Sequence, residues 1–268
     1  MNYTNLRKLN GNTLKVIAMV IMLIDHIGAG LLYFAIKLRV YHCGLPYNTM
    51  VLIYRITRDI GRSAFPIFCF LIVEGFKHTH SRLRYTLSLL LFGFISEIPF
   101  DTIGFKKDVF NINLIEALSA NRSTLFDHCN VFFTLLLGLL AIWGFEALYK
   151  LLNIKVIPEI IRNVLSLVPG LICALIAYVI KSDYSYRGVF LIMIFYLFSN
   201  IPLLGSLFGY ITMCTISESE IFALPGFLLP YLYNNKQGRK LGRLKYLFYA
   251  FYPVHIFLIY LIRCLLYG

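Results

Sequence analysis

Asp25 and His26 stand side by side in "AMVIMLIDHIGAGLLYF", Ala18 to Phe34, a run otherwise apolar enough to lie in lipid. A carboxylate and an imidazole are suited to taking up and returning a proton near neutral pH. A second histidine, His255, lies in the last apolar stretch, "FYAFYPVHIFLIYLI", just after Pro253, which is expected to bend its helix. At ~1.5 Å rise per residue, Asp25 and His26 lie ~15 Å in from Lys15, and His255 about as far from Lys245. Two histidines at matching depth on different helices can face one cavity. Ionisable groups there cost several kcal/mol unless paired or hydrated, which makes them candidates for function. Side chains of adjacent residues point ~100° apart on a helix, so one of Asp25 and His26 reacts while the other orients or anchors. The plainer role is a clamp, Asp25 with His26 or His255, that only joins helices.

The stretch "RDIGRSAFPIFCFLIVEGFKHTH" supplies a second group. Arg58 and Arg62 are four apart, hence on one helical face if the helix starts early, and such a pair can hold a phosphate or carboxylate. Snorkelling at the interface is their plainer role. Glu74 follows a dozen apolar residues, with His78 four positions on; for His78 and His80 a solvated loop is the favoured reading. In "GFISEIPFD", Glu97 could neutralise Arg62 or act as a general base, a structural ion pair being the alternative, and Pro99 is expected to bend the chain before Asp101. Asn130, with His128 and Thr134, opens the next apolar run. Arg58, Glu74, Asp101 and Asn130 are the candidates for contact with a substrate.

The elements that must position these residues follow from composition. The 268 residues are 59% hydrophobic and 14% charged, with mean hydropathy +0.74. One soluble core of this size could not bury so much apolar surface. The expected fold is all-α, a polytopic transmembrane bundle of about nine spans, some short or kinked: 14–36, 61–77, 83–100, 130–149, 162–181, 187–200, 203–216, 220–233 and 245–266. No linker or composition shift divides residues 1–268, so a single domain is expected. The six cysteines form no CxxC pair, which suggests neither metal site nor disulfide scaffold.

The net charge of +12 sits in short loops between apolar runs, which fits the positive-inside bias and not nucleic-acid binding. Basic "KHTHSRLR" (77–84), "NNKQGRKLGRLK" (234–245) and the N-terminus are therefore placed in the cytoplasm, the protein crossing the membrane repeatedly. The acidic "SESE" (217–220) and the long loops 37–60 and 101–129 fall outside. The 37–60 loop is the exception to the charge rule, because it carries Lys37, Arg39, Arg55 and Arg58.

Five blocks together resemble the TraX family of membrane acetylases: "LKVIAMVIMLIDHIG", "IGRSAFPIFCFLIVEGFKHTHSRLRY", "FGFISEIPFD", "NVFFTLLLGLL" and "YLFYAFYPVHIFLIYLI". They span nearly the whole chain in order. The family is named for proteins that acetylate the N-terminus of conjugative F-type pilin, and it belongs with a wider group of transmembrane acyltransferases. The resemblance implies transfer of an acetyl or other acyl group from cytoplasmic acetyl-CoA to an amine or hydroxyl at or across the membrane. His26 matches the family's histidine and would be the base or the transiently acylated group. Asp25 or Glu97 would orient it, and His255 would form a second polar wall. Arg62, Arg82, Arg84, Arg239, Lys240 and Arg243 would hold the CoA phosphates, with topology alone as their plainer role. Pilin or another peptide amine, a glycan or a lipid are the acceptors left open, as is homo-oligomerisation. The rival reading is a proton-coupled transporter, which also places acids and histidines at mid-membrane but normally shows inverted repeats. None is visible here.

Overall fold

The computed structural model describes residues 7–40, 44–153, 157–240 and 242–268. Among them 77% are helical and no strand forms, as expected of an all-α membrane bundle in which each backbone amide must find its partner within its own segment. Eight of the nine expected segments form helices. Five stretches are long and apolar enough to cross a membrane: Gly11–Leu38, Arg82–Ile103, Val131–Asn153, Glu159–Val179 and Gly242–Tyr267. Three others form helices of only 13 to 15 residues: α4 (Ala64–His78), α10 (Ser185–Leu197) and α11 (Pro202–Cys214). Residues 220–233 make short turns instead of a continuous helix, a 3-10 turn (Glu218–Ala223), α12 (Leu224–Leu228) and a second 3-10 turn (Leu229–Leu232). Pro225 and Pro230 each remove an amide that a longer helix would need.

Two expectations are corrected. The 37–60 segment is not a loop: it contains α3 (Tyr47–Gly61), a 15-residue amphipathic helix. Leu52, Ile56 and Ile60 are exposed at four-residue spacing, and that stripe was hidden in the sequence by its four cations. The 101–129 loop does not begin at Asp101 either. Helix α5 (Arg82–Ile103) runs through Pro99, so Asp101 lies in the helix's last turn.

The chain forms two compact units. The first comprises Met1–Phe68, Phe94–Asp127 and Ser219–Gly268. In it α1 (Gly11–Ile27) continues through a π-helical turn (Gly28–Leu32) into α2 (Tyr33–Leu38), and packs against α3 and α13 (Lys245–Tyr267). Close approach is possible because small residues face the contact. A Cβ on Gly30 would strike Ile259 of α13, and one on Gly61 would strike the Asp25 carboxylate. The 104–126 segment, with α6 (Leu114–Ala120), folds onto α13 through Phe105, Ala117, Tyr260 and Cys264. Asn121 ties that segment by accepting the amides of Lys106 and Lys107.

The second unit comprises Cys69–Gly93 and His128–Glu218. Helices α7 (Val131–Asn153), α9 (Val168–Val179) and α10 pack on one another, and α11 packs on α10. Short α8 (Glu159–Ser166) precedes α9. Gly138 of α7 sits directly against Ile192 of α10, and Gly144 against Pro169.

Candidate functional site

Residues far apart in sequence make the polar centre of the first unit: Asp25 and His26 on α1, Arg58 on α3, Arg62 at its C-terminal cap, Glu220 in the 3-10 turn, and His255 on α13. The two imidazoles meet directly. His26 Nδ1 and His255 Nε2 are 2.9 Å apart, and the ring centroids 4.9 Å. His255 is 4% exposed, stacked on Phe251 at 4.6 Å and edged by Tyr252.

Their hydrogen bonds fix the tautomers of the neutral rings. His255 Nδ1 lies 2.6 Å from the Phe251 carbonyl. A carbonyl only accepts, so His255 carries its proton on Nδ1 and presents a bare Nε2. His26 then donates from Nδ1, its ring also hydrogen-bonding the Met22 carbonyl one turn back, and its lone pair is on Nε2. The half-buried His26 thus has one defined basic nitrogen, and His255 orients it from behind.

Two ion pairs flank the imidazoles. Arg58 Nη1 is 2.6 Å from Asp25 Oδ2 and 3.5 Å from the Asp25 carbonyl. Arg62 Nη1 is 3.1 Å from Glu220 Oε1, and Glu220 is 1% exposed. The pairs form one network, because Arg62 lies within electrostatic range of Asp25, and Arg58 within range of Glu220 and His26. Formal charge balances across it. Asp25 Oδ1 and Glu220 Oε2 are buried and accept no hydrogen bond among the described residues. The break after α3 makes this arrangement possible: Ser63 Oγ donates to the Phe222 carbonyl at 3.2 Å, and Gly226 lies against the Ser63 carbonyl, where a Cβ would clash.

The sequence paired some of these residues differently. Asp25 does not contact the imidazole of His26; it turns to Arg58, as side chains ~100° apart on one helix require. Arg62, offered Glu97 as partner by the sequence, pairs with Glu220. Glu97 is buried on α5 in the first unit, 3% exposed. Asp101 accepts the Phe126 amide at 3.2 Å, which holds the 104–126 segment.

The remaining candidates lie in the second unit or on exposed loops. Asn130 is fully buried, accepts the Phe132 amide at 2.9 Å as a cap would, and donates to the Gly93 carbonyl at 2.7 Å. Glu74 is bonded to Lys77 and His78 on its own helix. Arg82 is bound to Glu146 at 2.8 Å and stacked on Phe76, while Arg84 is exposed. Arg239, Lys240 and Arg243 are exposed in the first unit, where Asn12 Nδ2 donates to the Arg239 carbonyl and fastens this loop to the start of α1.

Two residues went unread in the sequence. Glu220 looked like part of an exterior acidic loop, although the apolar "IFALPGFLLP" follows it directly. Arg263 sits in the apolar "LIYLIRCLLYG" and satisfies the same buried-ion criterion that selected His255. It is 1% exposed, lies over the rings of Phe34 and Tyr260 at 4.7 and 5.2 Å, and donates to the Thr102 carbonyl at 2.8 Å. Cation–π contact and one carbonyl hold α13 to α2 and α5.

The profile of the family described as TraX protein matches residues 10–263. The probable fimbrial assembly protein FimC of Dichelobacter nodosus is 28% identical over 269 residues, covering 92% of this chain and 92% of its own. No solved structure matches the chain.

Proposed function

The chain belongs to the TraX family, and from that premise and the paired imidazoles we propose that it is an integral-membrane acyltransferase using acetyl-CoA. The observation that carries the reading is the His26–His255 hydrogen bond at mid-helix, which leaves His26 Nε2 as a basic nitrogen among two arginines and two acids. His26 Nε2 takes the proton of an acceptor N–H as the acceptor nitrogen attacks the thioester carbonyl carbon. The C–S bond breaks, the acyl–nitrogen bond forms, and the imidazolium returns the proton to the departing CoA thiolate. The guanidinium field of Arg58 and Arg62 favours the negative charge that develops on the carbonyl oxygen. Asp25 Oδ1 and Glu220 Oε2 are acceptors available to the incoming amine. The fimbrial role in the relative's name supports a pilin-type subunit, through its terminal amine, as acceptor.

The exposed Arg239, Lys240 and Arg243, at the end of the unit where α1 and α13 both begin, suit the CoA phosphates. That end is assigned to the cytoplasm and the N-terminus with it. Topology is tested with a cysteine placed at exposed Ser123 in a protein lacking its native cysteines. A membrane-impermeant maleimide is expected to label it on intact cells, and labelling only after lysis would invert the assignment.

For the reaction, purified protein in nanodiscs is given radiolabelled acetyl-CoA and a pilin-type peptide with a free or blocked terminal amine. Label is expected on the free amine alone, and none with His26→Ala. No transfer to any peptide, or equal transfer by His26→Ala, would reject the reading.

A further inference from the structure

Two cations of the 37–60 segment, Lys37 and Arg55, have no part in the reaction proposed above, yet they converge. Tyr33, Ile36 and Lys37 on the α1–α2 helix and Tyr47, Val51, Tyr54 and Arg55 on α3 line one open groove of about 340 Å³. This is the lower end of the size range for small-molecule sites, about 300–1,000 Å³. We propose that this groove binds the phosphodiester headgroup of an anionic phospholipid.

Charge is the first support. The lining holds two cations and no acid. Among the described residues neither Lys37 nor Arg55 makes an ion pair or hydrogen bond, and Asp59, one turn along α3 from Arg55, does not pair with it. On the topology proposed above, the groove lies at the extracytoplasmic end of α1, where positive-inside bias gives lysine and arginine no reason to gather. A phosphate gives them one: Lys37 as a point charge and Arg55 as a fork, each a charge-assisted donor.

The second support is what surrounds the cations. Tyr33 and Tyr54 face each other with ring centroids 6.3 Å apart, and tyrosines with an apolar body and a polar tip favour the lipid–water boundary. Ile36 and Val51 give the groove apolar surface suited to a glycerol backbone and the first methylenes. The other face of α3 carries the exposed stripe Leu52, Ile56 and Ile60, at 56%, 47% and 42%. Such a stripe faces acyl chains when the helix lies at a bilayer surface. A freely soluble anion would have no use for it. The stripe holds α3 at the bilayer surface, and the groove on its other face then lies at headgroup level.

The test uses full-length protein in nanodiscs of mixed phosphatidylglycerol and phosphatidylcholine, with retained lipid counted by native mass spectrometry. Phosphatidylglycerol is expected to be retained in preference by about tenfold or more, as two interfacial cations imply. The double variant Lys37→Gln/Arg55→Gln is expected to lose that preference, and the charge-preserving Lys37→Arg/Arg55→Lys to keep it. No preference in the native protein, or one the Gln variant retains, overturns the proposal. Displacement of the lipid by millimolar glycerol phosphate overturns it in favour of a soluble phosphate.

Discussion

Around His26, two acids, two arginines and a second imidazole are gathered from positions 25, 58, 62, 220 and 255, on four elements of the first unit. Around Glu74, an acid, a cation and an imidazole lie within five positions of one helix in the second unit: Lys77 Nζ is 3.1 Å from Glu74 Oε1 and His78 Nε2 is 3.5 Å from Oε2. The local cluster forms as soon as the helix does, because residues three and four apart are neighbours on it. The distributed cluster forms only after four elements have packed, at a depth where each charge resists desolvation. A polar group assembled at such cost, with one nitrogen left basic, calls for a chemical reason. A polar group assembled by helical periodicity does not.

The sharpest way to break this contrast compares three histidines in the acetyl-CoA assay. His26→Gln keeps shape and hydrogen bonding without the basicity, and is expected to lower kcat ~100-fold or more. His255→Phe keeps ring packing against Phe251 while removing the acceptor from His26 Nδ1. Because it positions and does not react, a loss of about tenfold in kcat with the acetyl-CoA KM unchanged is expected. His78→Gln is expected to stay within about twofold of the native rate, as a side chain 48% exposed in a local pair should. Near-native activity in His26→Gln would end the distinction between the clusters.

The same contrast explains what was legible in the sequence. The helices were, since apolar length is a local property, and so were His26 and His255, whose depth follows from counting along a helix. Partner choice was not. Asp25 sits beside His26 in the chain, and adjacency suggested a carboxylate–imidazole pair, but helical geometry sends the two side chains apart and Arg58 receives the acid. Glu220 depends on turns interrupted by Pro225 and Pro230, which no periodicity describes. Helix α3 was obscured because four cations in a segment of mixed polarity read as loop, although Leu52, Ile56 and Ile60 keep a helical beat. Arg263 was legible by the rule already in use.

A smaller effect should appear in stability. Arg58→Met strands the Asp25 carboxylate, whose side chain is 17% exposed and whose Oδ1 already lacks a donor among the described residues. Unfolding in detergent is expected to show a loss of about 2 kcal/mol, below the ~3–5 kcal/mol of a fully buried pair because the site is partly open. Adding Asp25→Asn should restore roughly half of it, since the carboxylate charge that the first change left unpaired is gone. A double variant no more stable than the single one would mean that Arg58 contributes through packing and not through charge.

The smallest effect tests the local cluster. Glu74 is 7% exposed, and by depth in the sequence it was a candidate for substrate contact, so by burial alone Glu74→Gln would hurt as much as Arg58→Met. The geometry argues otherwise. Its partners Lys77 and His78 have side chains 35% and 48% exposed, so when the carboxylate charge is removed both can turn to water instead of being left buried and unpaired. The glutamine carbonyl can still accept from Lys77. A loss of no more than about 0.5 kcal/mol is expected, as for other exposed helix pairs, with acyl transfer within about twofold of native. A loss above ~2 kcal/mol, or a transfer rate that falls with that of His26→Gln, would put Glu74 among the residues on which the reaction depends.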